Sequence, residues 1–359
     1  MVMAKESKVK GFFFGILAAV SYGVNPLGAK YLYEEGLNVE SVLFYRYGLA
    51  ALIIGVIMAG KILLHRKSTS ASSATGKAEA TGTQFSVTEP VKAAEIETFR
   101  ISKGELSTLT ALGLMFVISS LTLYCSFLYM DSGVACSLLF VYPVMTAVLM
   151  AMLYGEKITK ATATAIALSL IGVLLLYKGD GETVLSTVGV LLVMVSALSY
   201  ALYIIVANRA SAPESEIGAS HNRLSKYIPL PHRVTIHRLD MSAMKLSFYV
   251  LIVCTASIIL FSFTSPERHI LTLLTERAWE YSLMLAIVPT VLSLVSMGIA
   301  VRIIGSTPTA VMGALEPLTA VVIGLTVFHE ALTVNLAVGI LLILSAVITI
   351  ILSKGKAKD

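Results

Sequence analysis

The chain reads as long apolar blocks of about twenty residues, separated by short polar knots. Wound as an α-helix, a block of that length matches the hydrocarbon thickness of a bilayer, whereas a strand needs far fewer residues. In lipid every backbone N–H and C=O must be satisfied within the segment, so each block is expected to form one crossing helix. The blocks fall at 11–31, 41–63, 106–129, 133–154, 161–178, 185–207, 244–264, 279–301, 306–328 and 333–353. This pattern predicts an all-α integral membrane protein of about ten transmembrane helices.

Composition agrees. Of 359 residues 56% are hydrophobic and 14% charged, with a mean hydropathy of +0.83, against roughly 25% charged in a soluble domain. The net charge of +5 does not indicate nucleic acid, because the basic residues flank apolar blocks and form no aromatic-interleaved patch. They report orientation instead, since cytoplasmic segments retain Lys and Arg. With the N-terminus inside, the opposite side keeps only Lys30, Lys178, Arg268 and Arg277, and Arg46 falls within a span. All the other Lys and Arg residues, of 27 in total, then lie in the cytoplasm. Both termini, 1–10 and 354–359, are expected there, as an even number of spans also requires. The opening stretch MVMAKESKVKGFFFGILAAV has a basic flank and an apolar core but no small-residue cleavage site, so it is read as a retained first helix of the cell or inner membrane. Cys125, Cys136 and Cys254 all lie inside apolar blocks, where a thiol packs as a small hydrophobe.

Two polar inserts interrupt the blocks. Residues 65–104 begin HRKSTSASSATGKAEATGTQ, a composition too poor in apolar surface to fold alone, and disorder is expected. Residues 210–243 contain HNRLSKYIPLPHRVTIHRLD, either a solvated loop or a basic segment lying on anionic headgroups.

The chain also repeats itself. Gly11 stands ten residues before Ser21-Tyr22, and Gly189 ten before Ser199-Tyr200. Pro143 precedes Glu156 by thirteen residues and Thr159 by sixteen, and Pro317 precedes Glu330 and Thr333 by the same intervals. The halves run over 11–178 and 184–353. With an odd number of spans in each, the second copy enters the membrane from the other side, giving two inverted five-helix repeats. That design belongs to secondary transporters, in which rocking one half against the other opens a midplane site to alternate faces.

Four segments carry a family resemblance: GFFFGILAAVSYGVNPLGAKYL with SVLFYRYGLAAL, LLFVYPVMTAVLMAMLYGEKIT, GVLLVMVSALSYALYIIVANR, and GALEPLTAVVIGLTVFHEALT. On these the chain resembles the EamA-type transporters of the drug/metabolite transporter superfamily, over nearly its whole length apart from the inserts. The resemblance implies a ten-helix inverted-repeat carrier of amino acids, nucleotide sugars or other metabolites, often an exporter. The inserts have no counterpart in the family core, and the first half has Tyr142 where the second has Glu316.

A charge at the bilayer centre costs about 2.5–3.5 kcal/mol, so each one needs a partner or a task. Glu316, in the middle of the ninth block and next to Pro317, is the first candidate, as a proton carrier or a ligand for an amine. Pro317 also removes a backbone hydrogen bond and leaves a carbonyl free beside the carboxyl. Arg46 is the second. Its fork can bind a carboxylate or phosphate, pair with Glu316, or snorkel outward. Lys30 ends the first block as an interfacial anchor, and Asn25 with Pro26 loosens that block near the expected cavity. Glu156 and Glu330 stand at helix ends before capping threonines, as a gate or a turn contact, each with its preceding proline, Pro143 or Pro317. Tyr22, Tyr45, Tyr124, Tyr142 and Tyr200 can line a polar cavity through their hydroxyls.

Enzyme motifs are absent. HEALT at His329 begins like a zinc-protease helix but lacks the second histidine, and there is no phosphate-binding G-x-x-x-x-G-K-[ST] loop. No metal or cofactor is expected. The expected partners are a small-molecule substrate and the lipid bilayer, with no nucleic acid; a homodimer is an allowed assembly. The function that follows is secondary transport of a small metabolite such as an amino acid, by alternating access coupled to protons or to exchange. The alternatives are a sensor or scaffold built on the inserts, or a carrier of nucleotide-sugar or lipid-linked cargo.

Overall fold

The computed structural model of the chain describes residues 2–75, 99–130, 132–154, 158–177, 186–210, 239, 241–265, 268–313, 315–327 and 334–356. Among these there is no strand. The helices are α1 (Val2–Tyr22), α2 (Asn25–Glu34), α3 (Val39–Thr75), α4 (Lys103–Ser126), α5 (Ser132–Leu139), α6 (Tyr142–Tyr154), α7 (Lys160–Tyr177) and α8 (Thr187–Ala210). They continue with α9 (Ala243–Ser262), α10 (Glu276–Ala286), a π-helical turn (Ile287–Leu292), α11 (Ser293–Ile304), α12 (Ser306–Met312), α13 (Leu315–Val327) and α14 (Val334–Lys356). Among the described residues six stretches are long and apolar enough to cross a membrane: Lys8–Glu34, Val39–Leu64, Lys103–Ser126, Thr187–Ala210, Ala243–Ser262 and Glu276–Ile304. The remaining apolar blocks are filled by α5 with α6, α7, α12 with α13, and α14.

Several blocks expected as single helices are interrupted, and the interruptions share a cause. Proline lacks an N–H and is accommodated in the first turn of a helix, where that donor has no intrahelical acceptor. Pro26 lies in the first turn of α2, Pro143 is the second residue of α6, Pro308 the third of α12 and Pro317 the third of α13. Pro317 therefore starts a helix here and does not break one. Between α11 and α12, Gly305 has φ +87°, in the left-handed region that glycine enters without a Cβ clash. The breaks recur at a fixed interval: Ser132 and Ser306 begin α5 and α12, Lys160 and Val334 begin α7 and α14, and each pair is separated like Tyr142 and Glu316, by 174 residues.

Helix starts at the polar ends are capped by side chains, which satisfy otherwise orphaned N–H groups. The Ser102 hydroxyl accepts from the Glu105 N–H at 3.2 Å while the Glu105 carboxylate accepts from the Ser102 N–H at 2.7 Å. At α9, α10 and α7 the hydroxyls of Ser242, Thr275 and Thr159 each accept from the N–H three residues on.

Inside the bundle α7 packs on α14, α1 on α11, α4 on α8 and α3 on α9. Without a hydrophobic drive between helices in lipid, close approach through small residues supplies the attraction. Gly113 of α4 lies so close to α9 that an added Cβ would stand 2.5 Å from the Val253 side chain.

Helix α3 extends to Thr75, into the insert whose composition predicted disorder. The rest of that insert over 76–98, the basic loop over 211–238, and both Glu156 and Glu330 lie outside the described residues.

The small-residue seam yields a paired test. Gly113→Ala should lower stability by about 1–3 kcal/mol through overpacking. Gly60→Ala, with nothing within 4 Å of the new Cβ, should be neutral or gain up to about 1 kcal/mol from helix propensity. Thermal melts of the detergent-solubilised protein compare the two.

Candidate functional site

The site begins at a backbone problem in the eighth apolar block. Pro289 has no N–H, so the carbonyl of Leu285, one helical turn earlier, loses its usual donor. The chain widens into the π turn, and the Thr290 hydroxyl donates to the Leu285 carbonyl at 2.7 Å in place of the missing N–H. The same hydroxyl accepts from Arg46 Nε of α3 at 2.7 Å.

Arg46 is fully buried. Its Nη1 donates to the Tyr124 hydroxyl of α4 at 3.0 Å and its Nη2 to the Pro289 carbonyl at 3.5 Å. Tyr124 in turn donates to Asn25 Oδ1 at 2.6 Å, where α2 begins. The guanidinium also lies over three tyrosine rings, with centroid distances of 5.5 Å to Tyr22, 5.3 Å to Tyr47 and 5.8 Å to Tyr124. Ring quadrupoles stabilise a desolvated cation in that position. Of the fates open to Arg46, snorkelling is excluded by its burial, and its hydrogen bonds go to neutral groups.

From Tyr22 an aromatic chain leads to the acid. Tyr22 stacks on Tyr200 at 6.3 Å, Tyr200 meets Tyr142 edge-on at 4.9 Å, and the Tyr142 hydroxyl points at Glu316 Oε1, 3.4 Å away. That last distance is long for an O–H···O bond. Glu316 is only 8% exposed and sits in the first turn of α13, where the helix N-terminus favours negative charge. Gly313 leaves room for the tyrosine: a Cβ there would fall on the Tyr142 hydroxyl.

The fold thus gathers Glu316, Arg46, Tyr142, Asn25, Tyr22 and Tyr200 into one connected cluster, with Pro143 and Pro317 beside it. Tyr45 is elsewhere, packed against Phe44 and Trp279, and Lys30 is exposed. Thr290 and Pro289 were missed by sequence reasoning. A proline inside an apolar block, followed by a hydroxyl that can replace its donor, was the available signal.

The two ends of the cluster differ. Toward one end a narrow pocket lies between α8, α9 and α11, lined by Tyr203, Ala207, Leu246, Met297, Val301 and Arg302. Met297 Sδ accepts from the Tyr200 hydroxyl at 3.3 Å, and Arg302 donates to the Met241 carbonyl at the mouth. At the other end the α2–α3 corner is tied to the first turn of α10 and to the segment before it. Arg277 pairs with Glu35 at 3.7 Å and Arg268 with Glu40 at 3.8 Å, and Asn38 donates to the His269 carbonyl at 2.9 Å.

Arg46→Lys keeps the charge but loses the fork, so it should orphan an acceptor and cost about 1–3 kcal/mol per unpaired group. Tyr124→Phe removes a bond on either side of one hydroxyl and should also destabilise, less severely. Both follow from melts in detergent.

The model of the family described as EamA-like transporter family matches residues 9–178 and 233–352. An uncharacterized transporter of Archaeoglobus fulgidus is 24% identical over 218 residues, 61% of this chain and 66% of that protein, so the chain spans about two thirds of its length. A protein of known crystal structure aligns over 99% of each chain with a TM-score of 0.61 and 11% identity, a likeness in fold alone. With its apolar crossing helices, the chain is a multi-pass integral membrane protein and belongs to the EamA-like transporter family of the drug/metabolite transporter superfamily.

Proposed function

We propose that this chain is a secondary transporter of about ten crossings in two inverted repeats, exporting a small polar metabolite through the cluster between Arg46 and Glu316. The observation that carries the site is Glu316. It is a buried carboxyl whose one hydrogen bond among the described residues, from Tyr142, is 3.4 Å long. Such a group is costly unless a proton or a cationic ligand neutralises it. Arg46 complements it. Its hydrogen-bond partners, Thr290, Tyr124, the Pro289 carbonyl and Tyr22, are all neutral, so the charge itself is left for a carboxylate or phosphate to meet. A substrate bearing both an amine and an acid, as an amino acid does, meets both needs, and the tyrosine rings between them suit its carbon skeleton.

Contacts between matching positions support inversion. Residues related by a two-fold axis touch only where they lie beside it. Tyr22 and Tyr200 follow matching serines in the two halves, Tyr142 and Glu316 precede matching prolines, and both pairs are in contact. The matching helices α7 and α14 also pack together. An axis through the cluster is what two facing copies would give.

In this reading the termini and the Arg302 pocket face the cytoplasm, and the Glu35–Arg277 and Glu40–Arg268 pairs close the exterior. Outward release requires those pairs to part, each an exposed arginine on a mostly buried glutamate at 3.7 or 3.8 Å. Substrate and proton take turns on Glu316 in the coupled version of the cycle, with no cofactor or nucleic acid involved; a homodimer is compatible with it.

Purified protein in proteoliposomes, offered a metabolite panel with and without a pH gradient, should move at least one polar substrate. Glu316→Gln should reduce that flux by about tenfold or more, roughly 1.4 kcal/mol or greater, and remove its pH dependence. Unchanged flux and pH response in the variant would reject Glu316 as the coupling group. Cysteines placed at 156 and 330 should react with impermeant thiol reagents from opposite faces; reaction from one face would reject the inversion.

A further inference from the structure

Away from the tyrosine cluster, cationic residues gather where α3 leaves the membrane and α4 and α9 begin. Lys61 of α3 has its Nζ 4.0 Å from Met244 Sδ at the start of α9. The next residue, Lys245, donates from Nζ to the Arg100 carbonyl at 2.9 Å, and Lys103 begins α4 three residues later. The Tyr249 hydroxyl donates to the Phe99 carbonyl at 2.5 Å, and the Phe99 ring lies 5.5 Å from that of Phe248. Four cations thus share one corner. Among the described residues, the acid beside them, Glu105, is engaged in capping through Ser102.

Two features of this corner point to a ligand. Lys245 is 8% exposed, and among the described residues its ammonium has one acceptor, a carbonyl, for three N–H donors. A buried ammonium so placed favours an added anion. Within a few residues of these cations along the chain stand exposed apolar side chains, a strip of Leu63 and Leu64 on α3 and another of Phe99 and Leu106 at the start of α4. Free phosphate would gain nothing from these side chains, whereas a molecule with an anionic head and apolar tails would use both them and the cations.

We propose that Lys61, Arg100, Lys103 and Lys245 form a binding site for the phosphate of an anionic phospholipid, whose acyl chains lie along Phe99, Leu63 and Leu106. The site stands on the cytoplasmic end in the orientation proposed above, the leaflet that presents anionic headgroups. It does not depend on the transport substrate. Its cations belong to the second, third and seventh apolar blocks, so one lipid bridges helices from both halves of the chain.

Native mass spectrometry of the full chain, with phosphatidylglycerol and phosphatidylcholine titrated separately, tests the assignment. Wild-type protein should retain phosphatidylglycerol at least about tenfold more tightly. Equal retention of the two lipids overturns the site whatever the variants do. Lys61→Gln/Arg100→Gln/Lys103→Gln should lose most of that preference and still elute as a monodisperse species; Lys245 is left in place because it holds the Arg100 carbonyl. Lys8→Gln/Lys10→Gln, which removes charge elsewhere, should keep the preference. Equal losses in the two variants would mean a general effect of charge and would overturn the site, as would displacement of the lipid by inorganic phosphate at comparable concentration.

Discussion

One buried guanidinium organises the interior. Arg46 has no acid in its hydrogen-bond set, and its charge is spread over a threonine hydroxyl, a tyrosine hydroxyl, a proline carbonyl and three aromatic faces. Because these partners come from α1, α3, α4 and the π turn, with α2 joined through Asn25, removing the cation from water sets the relative positions of all of them. The same arrangement leaves the cation electrostatically uncompensated. A neutral cradle tolerates an arriving anion better than a salt bridge would, since no internal carboxylate has to be displaced first.

The interruptions in the helices serve this centre. Lipid does not forgive an unpaired backbone group, so irregular backbone is confined to places buried in protein. Pro26, Pro143, Pro308 and Pro317 each stand in a first turn where the missing N–H costs nothing, and Pro289 has its orphaned carbonyl covered by Thr290. Each break brings a polar group to the interior: Asn25 at the start of α2, Tyr142 at the start of α6, Glu316 at the start of α13. Proline placement and site composition are thus one feature. A continuous helix through 306–328 would deny Glu316 the helix N-terminus it now occupies.

Much of this was legible before any coordinates. Block length gave the helical class, and the scarcity of intramembrane charge singled out Arg46 and Glu316, because each stands out against an apolar background that penalises it. The repeat spacing marked Tyr142 as the counterpart of Glu316, though not that the two touch. What the pattern left open was set by tertiary geometry. Whether Arg46 paired with Glu316 could not be decided from spacing, since the answer lies in a π turn more than 240 residues away. Pro317 was expected to free a carbonyl inside one continuous block, and it stands instead in the first turn of α13, because hydropathy does not distinguish a helix that runs on from one that ends and restarts. Helix α3 ran past its apolar block to Thr75, since Ala and Ser tolerate helix even where they cannot build a core.

The site joins the buried Arg46 to a poorly satisfied buried acid, Glu316, through tyrosine rings in contact, at the place where matching positions of the two halves meet. Tyr200 touches Tyr22, Tyr142 and Met297, and so lies between the tied end and the pocketed end. The most direct measurement replaces Tyr200 with cysteine in a background free of Cys125, Cys136 and Cys254, and applies impermeant thiol reagents from each face of proteoliposomes in turn. Alternating access through this cluster predicts labelling from both faces, with the transported substrate protecting against each. Labelling from one face alone, or from neither, would contradict it.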